Sequence, residues 1–337
     1  MNILRKILFP FAVLYGFITS FRNFLFDKGI LKSHSFDLPI IAVGNLSVGG
    51  TGKTPQIEYL IRLLSPTNKI ATLSRGYKRK SEGFILADAS SNAEILGDEP
   101  FQFYQKFPNI LVAVDANRKN GIEQLIQISE PDIILLDDAF QHRKVKAGFY
   151  ILLTAYNDLY ANDFILPTGN LRESRSGAER ANIVVVTKCP PNLSDKEKND
   201  IERKLQLESL QKLFFTSIAY DKFIFSEESQ ISVAEIKNSE KLLLAGIAKP
   251  EPFFDHLKNE KDIILTYPDH HHFSEKDVAE IKEMSKGKII ITTEKDFVRL
   301  KGNLPKEQLF YLPIKSEFLQ NQEFFNKTIL NYVENNR

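Results

Sequence analysis

A single cysteine, Cys189, stands in 337 residues, which excludes an intramolecular disulfide framework and a cysteine-based structural zinc site. Tryptophan is absent and methionine numbers 2, while phenylalanine reaches 26; this is a bias of composition and points to no chemistry. An excess of charge of one sign is missing as well. Lys and Arg number 44 against 43 Asp and Glu, a formal net charge of +1, so no basic field is available for non-specific nucleic-acid binding. Internal repeats and low-complexity tracts are also lacking. What remains is globular in composition, 43% hydrophobic and 26% charged, which argues against long disorder. The length suggests about two domains at roughly 150 residues each.

A long apolar run is lacking too, with one partial exception. Ile7 to Phe21 carries no charge, but such a helix reaches only about 22 Å, short of the roughly 30 Å hydrocarbon core. Arg5 and Lys6 stop it on one side and Arg22 on the other. A buried helix, a tilted span with snorkelling basic ends, a signal peptide and an interfacial helix all compete. No A-x-A cleavage site follows Phe21. Arg5, Lys6, Arg22, Lys28 and Lys32 against Asp27 make residues 1–34 basic, which favours a helix lying on an anionic membrane surface.

The first strong motif comes next. Residues 39–44 form a short apolar run rich in β-branched residues, read as a buried parallel strand. Asn45 to Thr54 follows as NLSVGGTGKT, and residues 55–64 have helical spacing with Pro55 at the first turn. Strand, glycine loop and helix in that order are the context of a phosphate loop. The loop takes in Ser47, Val48, Gly49, Gly50, Thr51, Gly52, Lys53 and Thr54, with Ser47 where the usual pattern has glycine. Small residues let backbone N–H groups face a polyphosphate. Lys53 would reach the β and γ phosphates, and the Thr54 hydroxyl would ligate Mg²⁺. The apolar run Ile133 to Leu136 ends in Asp137 and Asp138, a second metal-binding candidate at a strand end.

Other polar clusters have less specific signals. Asp98, in Gly97-Asp98-Glu99-Pro100, is either a proton acceptor for an alcohol or a helix-capping residue. Arg75 follows a strand-like run and could clamp phosphate; Arg118 could do the same or pair with a carboxylate. The consecutive histidines 270–272 are poorly placed to chelate one ion together. Ser274 and Asp277 fit the start of a helix.

Taken together, VGNLSVGGTGKTP (43–55), LSRGYKRK (73–80), GDEP (97–100), LLDDAFQHR (135–143), LRE (171–173), VVTK (185–188), PDHHHF (268–273) and TTEKD (292–296) resemble the tetraacyldisaccharide 4′-kinase family, the lipid A 4′-kinases, in order and over most of the chain. The resemblance implies transfer of the ATP γ-phosphoryl to the 4′-hydroxyl of a tetraacylated glucosamine disaccharide 1-phosphate, giving lipid IVA at the cytoplasmic face of the inner membrane. ATP and Mg²⁺ are the implied cofactors. The expected partners are the lipid substrate and the membrane surface, with no nucleic acid and no obligate protein partner. Asp98 becomes the base, helped by His270, and Asp137 and Asp138 match the Mg²⁺ region. A Ser47 hydroxyl lies in the loop, while Arg75, Gln141, His142 and Arg172 match polar family positions. In one departure, the strand after DDAFQHR ends in Thr154, where the family often has Asp. A P-loop GTPase or metallochaperone ATPase is a rival, though VVTK lacks an NKxD guanine-reading arrangement. A membrane-associated nucleotide-binding adaptor is another rival, and it would not need Asp98.

The expected architecture is α/β: a P-loop NTPase-like parallel sheet with flanking helices, a second smaller α/β domain, and an N-terminal membrane-associating helix. Strands are expected near 39–44, 69–74, 110–114, 132–137, 149–154, 182–187, 241–246, 262–267 and 288–293, and a charged helix over 194–211. The expected divisions are 1–34 for the membrane-associating region, 35–212 for the kinase domain, 213–232 for a linker ribbon and 233–337 for the smaller domain.

Overall fold

Short β-branched runs that are apolar at every position can be satisfied only where helices cover both faces of a parallel sheet. That is where they lie in the computed structural model, which describes residue 5 and residues 7–269 and 271–337. The first strands are β1 (Ile40–Asn45), β2 (Ile70–Ser74), β3 (Ile85–Leu86), β4 (Leu111–Val114), β5 (Ile133–Asp137), β6 (Phe149–Ala155), β7 (Ile183–Thr187) and β8 (Lys212–Tyr220). A second set follows as β9 (Phe223–Phe225), β10 (Gln230–Ser232), β11 (Leu242–Ala245), β12 (Ile263–Thr266), β13 (Ile290–Thr293) and β14 (Leu309–Leu312), and β15 (Ile314–Phe318) comes last. Among the described residues they form two sheets, ordered β15-β8-β7-β6-β1-β5-β2-β4-β3 and β10-β9-β14-β13-β11-β12. In the first, β1 lies between β5 and β6 and is parallel to both; all residues of β1, β2 and β7 are buried.

The domain divisions differ from those expected. The segment expected as a linker is split: β8 is parallel to β7 inside the first sheet, and β9 belongs to the second. The C-terminal stretch returns to the first domain, where β15 runs antiparallel along β8. Phe325, Ile329 and Val333 of the helix Gln322–Glu334 share one core with Ile41 of β1 and Ile57 of the phosphate-loop helix. The second unit is therefore an insertion between β8 and β15. Hydrophobic demand explains the return, because without this helix one face of the large sheet would lose its cover. The charged helix is also shorter than expected, Asp195–Leu205; Ser194 and Glu197 form its capping box, and Gln206 turns left-handed to end it.

The N-terminal helix runs Phe9–Asp27, 19 residues, about 28 Å at 1.5 Å per residue. It continues past Arg22, the expected stop. Its inward stripe is small and polar: Ala12, Gly16, Thr19 and Asn23 are buried. A Cβ on Gly16 would stand 3.0 Å from Ile165 Cδ1. The large side chains point away from the protein, with Phe9, Phe11, Phe17 and Ile18 all more than half exposed. This rules out the buried-helix reading.

Candidate active site

The site forms at the carboxyl ends of the parallel strands, where an open α/β sheet leaves its loops free to bind. Gly44 ends β1 against the loop after β5. A Cβ there would come within 2.7 Å of Phe140 Cβ, so glycine alone lets the two loops pack. Gly49 and Gly52 hold positive φ values of 116° and 84°, which favour glycine. The helix Lys53–Leu64 starts directly after Gly52 with no side-chain cap, leaving its first N–H groups to face an anion. The loop is braced from outside: Val48 N–H donates to the Asn170 carbonyl at 2.8 Å, Arg172 N–H to that of Leu46 at 2.7 Å, and the Thr187 hydroxyl to that of Thr51 at 2.7 Å.

The two strand-end carboxylates have different surroundings. Asp138 accepts hydrogen bonds from both terminal nitrogens of Arg172, at 3.2 and 2.8 Å, and its Oδ1 lies 3.8 Å from Lys53 Nζ. Burial opposes ionisation of Asp138, but Lys53, then Arg172 and Arg118 outweigh it and take the carboxyl down to about 2. Asp137 has weaker compensation. The Ser74 hydroxyl reaches its Oδ2 at 3.4 Å, while its buried Oδ1 has no hydrogen-bond partner among the described residues. Burial first, and the Asp138 charge next, push Asp137 up to about 6. A buried carboxylate oxygen left open beside a phosphate loop fits a hard divalent cation, and the Thr54 hydroxyl belongs to the same loop.

A ring of basic groups surrounds this pair. Arg118, 3% exposed, donates to the carbonyls of Asp115 at 2.6 Å and Asp137 at 2.9 Å. It is held down to about 10 by burial, against the pull of Asp137 and Asp138, and still carries its charge at neutral pH. His142 is lowered to about 4 by burial, then by Arg118 and Arg75, so its imidazole is neutral near pH 7. Gln141 donates to the Asn45 carbonyl at 2.9 Å and to Glu173 at 3.0 Å.

Asp98 opens the helix Asp98–Lys106, after Gly97 with φ 92°. A Cβ on Gly97 would stand 3.3 Å from Gly76 Cα, so the GDEP turn packs on the loop after β2, beside Arg75. Arg299, from the second unit, reaches both carboxylate oxygens of Asp98: Nε donates to Oδ1 at 3.2 Å and Nη2 to Oδ2. The third nitrogen of Arg299, Nη1, donates to the His271 carbonyl at 3.3 Å. Next to it, Lys295 lies 3.9 Å from Glu99 and 3.4 Å from Asp269. His270 lies outside the described residues. In the same segment, His271 Nε2 pairs with Asp277 at 3.1 Å.

The chain matches the family described as tetraacyldisaccharide-1-P 4′-kinase over residues 4–334. A tetraacyldisaccharide 4′-kinase of Flavobacterium johnsoniae is 70% identical, with 100% of this chain and 99% of that one aligned. One of Bacteroides thetaiotaomicron is 46% identical over 99% of this chain and 94% of its own. This chain belongs to the tetraacyldisaccharide-1-P 4′-kinase family. A crystal structure of LpxK from Aquifex aeolicus in complex with ATP has the same fold, with TM-score 0.81 and 31% identity over 98% of this chain and 100% of that one.

Within this family frame, the structure brings the phosphate loop, Asp137, Asp138, Arg118, His142 and Arg172 into one cluster, joined through Asn45 to Gln141. Arg299 and Glu173 carry little signal in the sequence. The only signal for Glu173 was its place in the LRE motif, and for Arg299 its position shortly after TTEKD.

Proposed function

We propose that this chain transfers the γ-phosphoryl of ATP to the 4′-hydroxyl of a tetraacyldisaccharide 1-phosphate, giving lipid IVA in lipid A biosynthesis. The observation that carries this reading is the open Asp137 oxygen behind a glycine-formed cradle, in a member of this kinase family. The Gly49–Thr54 backbone and Lys53 cradle the triphosphate, with Ser47 earlier in the same loop. Thr54 and Asp137 would hold Mg²⁺, while Asp138, committed to Arg172 and Lys53, fixes the lysine that reaches the phosphates. Bound Mg²⁺ supplies neutralisation of the charge on the β and γ oxygens. Asp98, oriented by Arg299, accepts the 4′-hydroxyl proton as the oxygen–phosphorus bond forms and ADP leaves with the bonding pair. Arg75 and Arg118 offer positive charge to the transferring group, and neutral His142 offers a hydrogen bond.

The acyl chains place this reaction at a bilayer. The outward face of the helix Phe9–Asp27 suits the apolar side of a membrane, and the site must face the compartment that holds ATP. Both features support work at the cytoplasmic face of the inner membrane.

Asp98→Asn tests the base directly. With purified full-length protein, Mg-ATP and the dephospho disaccharide lipid, mass-resolved product formation should fall by about 10²–10⁴-fold, with nucleotide affinity kept. Undiminished turnover would remove Asp98 from the chemistry and favour a nucleotide-binding adaptor.

A further inference from the structure

An asparagine buried on a largely apolar helix needs a specific partner, because an unpaired amide there loses its water without compensation. Asn23 is 9% exposed, and Nδ2 donates to Glu173 Oε2 at 2.6 Å. Glu173 itself is fully buried. Its other oxygen, Oε1, accepts from Gln141 at 3.0 Å and from Arg180 at 2.8 Å. Gln141 also donates to the Asn45 carbonyl, and Arg172, the neighbour of Glu173, donates to that same oxygen at 2.9 Å while gripping Asp138. Asn45 is the last residue of β1 before the phosphate loop. One buried carboxylate thus lies between the membrane-facing helix and the point where the loop and the acidic pair are set.

We propose that Glu173 is a positioning residue that couples the seating of the N-terminal helix to the catalytic loops, through Asn23 on one side and Gln141 and Asn45 on the other. A helix serving only as an anchor would need apolar residues outward and small ones inward; it would not need this amide. With the link made, Gln141 is held toward Asn45, and Arg172 keeps Asp138 beside Lys53. A helix lifted from the protein takes away the donor to Glu173 Oε2, and the carboxylate that holds Gln141 is then free to shift. Phosphoryl transfer is thereby favoured when the helix is seated.

The test exchanges the two groups. In Asn23→Asp two carboxylates face each other. In the double variant Asn23→Asp with Glu173→Gln, the amide and the carboxylate trade places: the amide now donates toward the helix, and its oxygen still accepts from Gln141 and Arg180. Asn23→Leu removes the link while keeping an apolar helix. Each full-length protein is measured for kcat at saturating Mg-ATP, thermal midpoint, and partition into phosphatidylethanolamine–phosphatidylglycerol vesicles. Asn23→Leu and Asn23→Asp should lose roughly tenfold or more in kcat, the scale of one charge-assisted hydrogen bond, with vesicle partition unchanged. The double variant should recover most of that loss. Wild-type kcat in both single variants overturns the proposal, as does a double variant no faster than Asn23→Asp. A loss in Asn23→Leu that tracks vesicle partition also overturns it, leaving the helix as an anchor alone.

Discussion

Asp137 and Asp138 are neighbours with opposite titration behaviour, and the difference lies in what each oxygen touches. Asp138 has two cations and titrates near 2; Asp137 has a distant hydroxyl, a repelling neighbour and a raised pKa near 6. Two adjacent aspartates at a strand end are visible in the sequence, but which one is left open is not, because Arg172 arrives from 34 residues away. Arg299 was hidden for the same reason, lying 201 residues from Asp98. Gly44 gives a sharper residue-scale expectation. A methyl group there meets Phe140 Cβ at 2.7 Å and its backbone nitrogen at 3.0 Å, and backbone cannot give way cheaply. Gly44→Ala should destabilise the fold by about 1–3 kcal/mol, read as a lower urea midpoint. An unchanged midpoint would show that the two loops can separate.

At the scale of elements, the N-terminal helix inverts the usual arrangement of a surface helix, with small residues inward and large apolar ones outward. Its outward face is exposed in the isolated chain, so polar substitutions there should leave folding alone and weaken membrane binding. Phe17→Ser with Ile18→Ser should lower partition into anionic vesicles by more than roughly tenfold, since each large side chain is worth about 1.5–3 kcal/mol when buried. The thermal midpoint should be unchanged. A matching loss of midpoint would mean that the face packs on protein instead. The nine expected strands all appear within a residue or two of their places because short apolar, β-branched runs are easy to read, even at Ile263–Thr266, where Ile264 is exposed. The region 213–232 reads as a ribbon in the sequence, whereas β8, β9 and β10 are divided between two sheets, a partition that local pattern does not encode.

The two units of the whole molecule are joined by a buried ionic cluster behind the active site. Lys106, at the end of the Asp98 helix, reaches Glu58 of the phosphate-loop helix at 2.8 Å and also pairs with Glu294 of the second unit. Arg62 and Gln102 hold Glu58 from either side, and the Ile314 N–H donates to Glu294 at 3.3 Å. Burial, then the Glu58 charge, push Glu294 up from 4.5 to about 7. The folded chain therefore binds this proton more tightly than the unfolded one. The stability that the proton confers is complete below about pH 4.5 and is lost as pH rises toward 7. Glu294→Gln should remove this loss. Between pH 4.5 and 7, wild-type unfolding free energy should fall relative to the variant in urea titrations; a gap independent of pH would place the titration elsewhere.

The phosphate loop, the strands and the acidic strand end are legible in the chain because each depends on residues close together, and the order of the motifs carries the family. Which unit owns the C-terminal helix, that Arg299 holds Asp98, and that Glu173 bonds both Asn23 and Gln141 emerge only once the chain is folded. Those outcomes depend on side chains distant in sequence meeting in low-dielectric surroundings, where a buried charge or amide must find a partner and the fold alone determines which one is within reach.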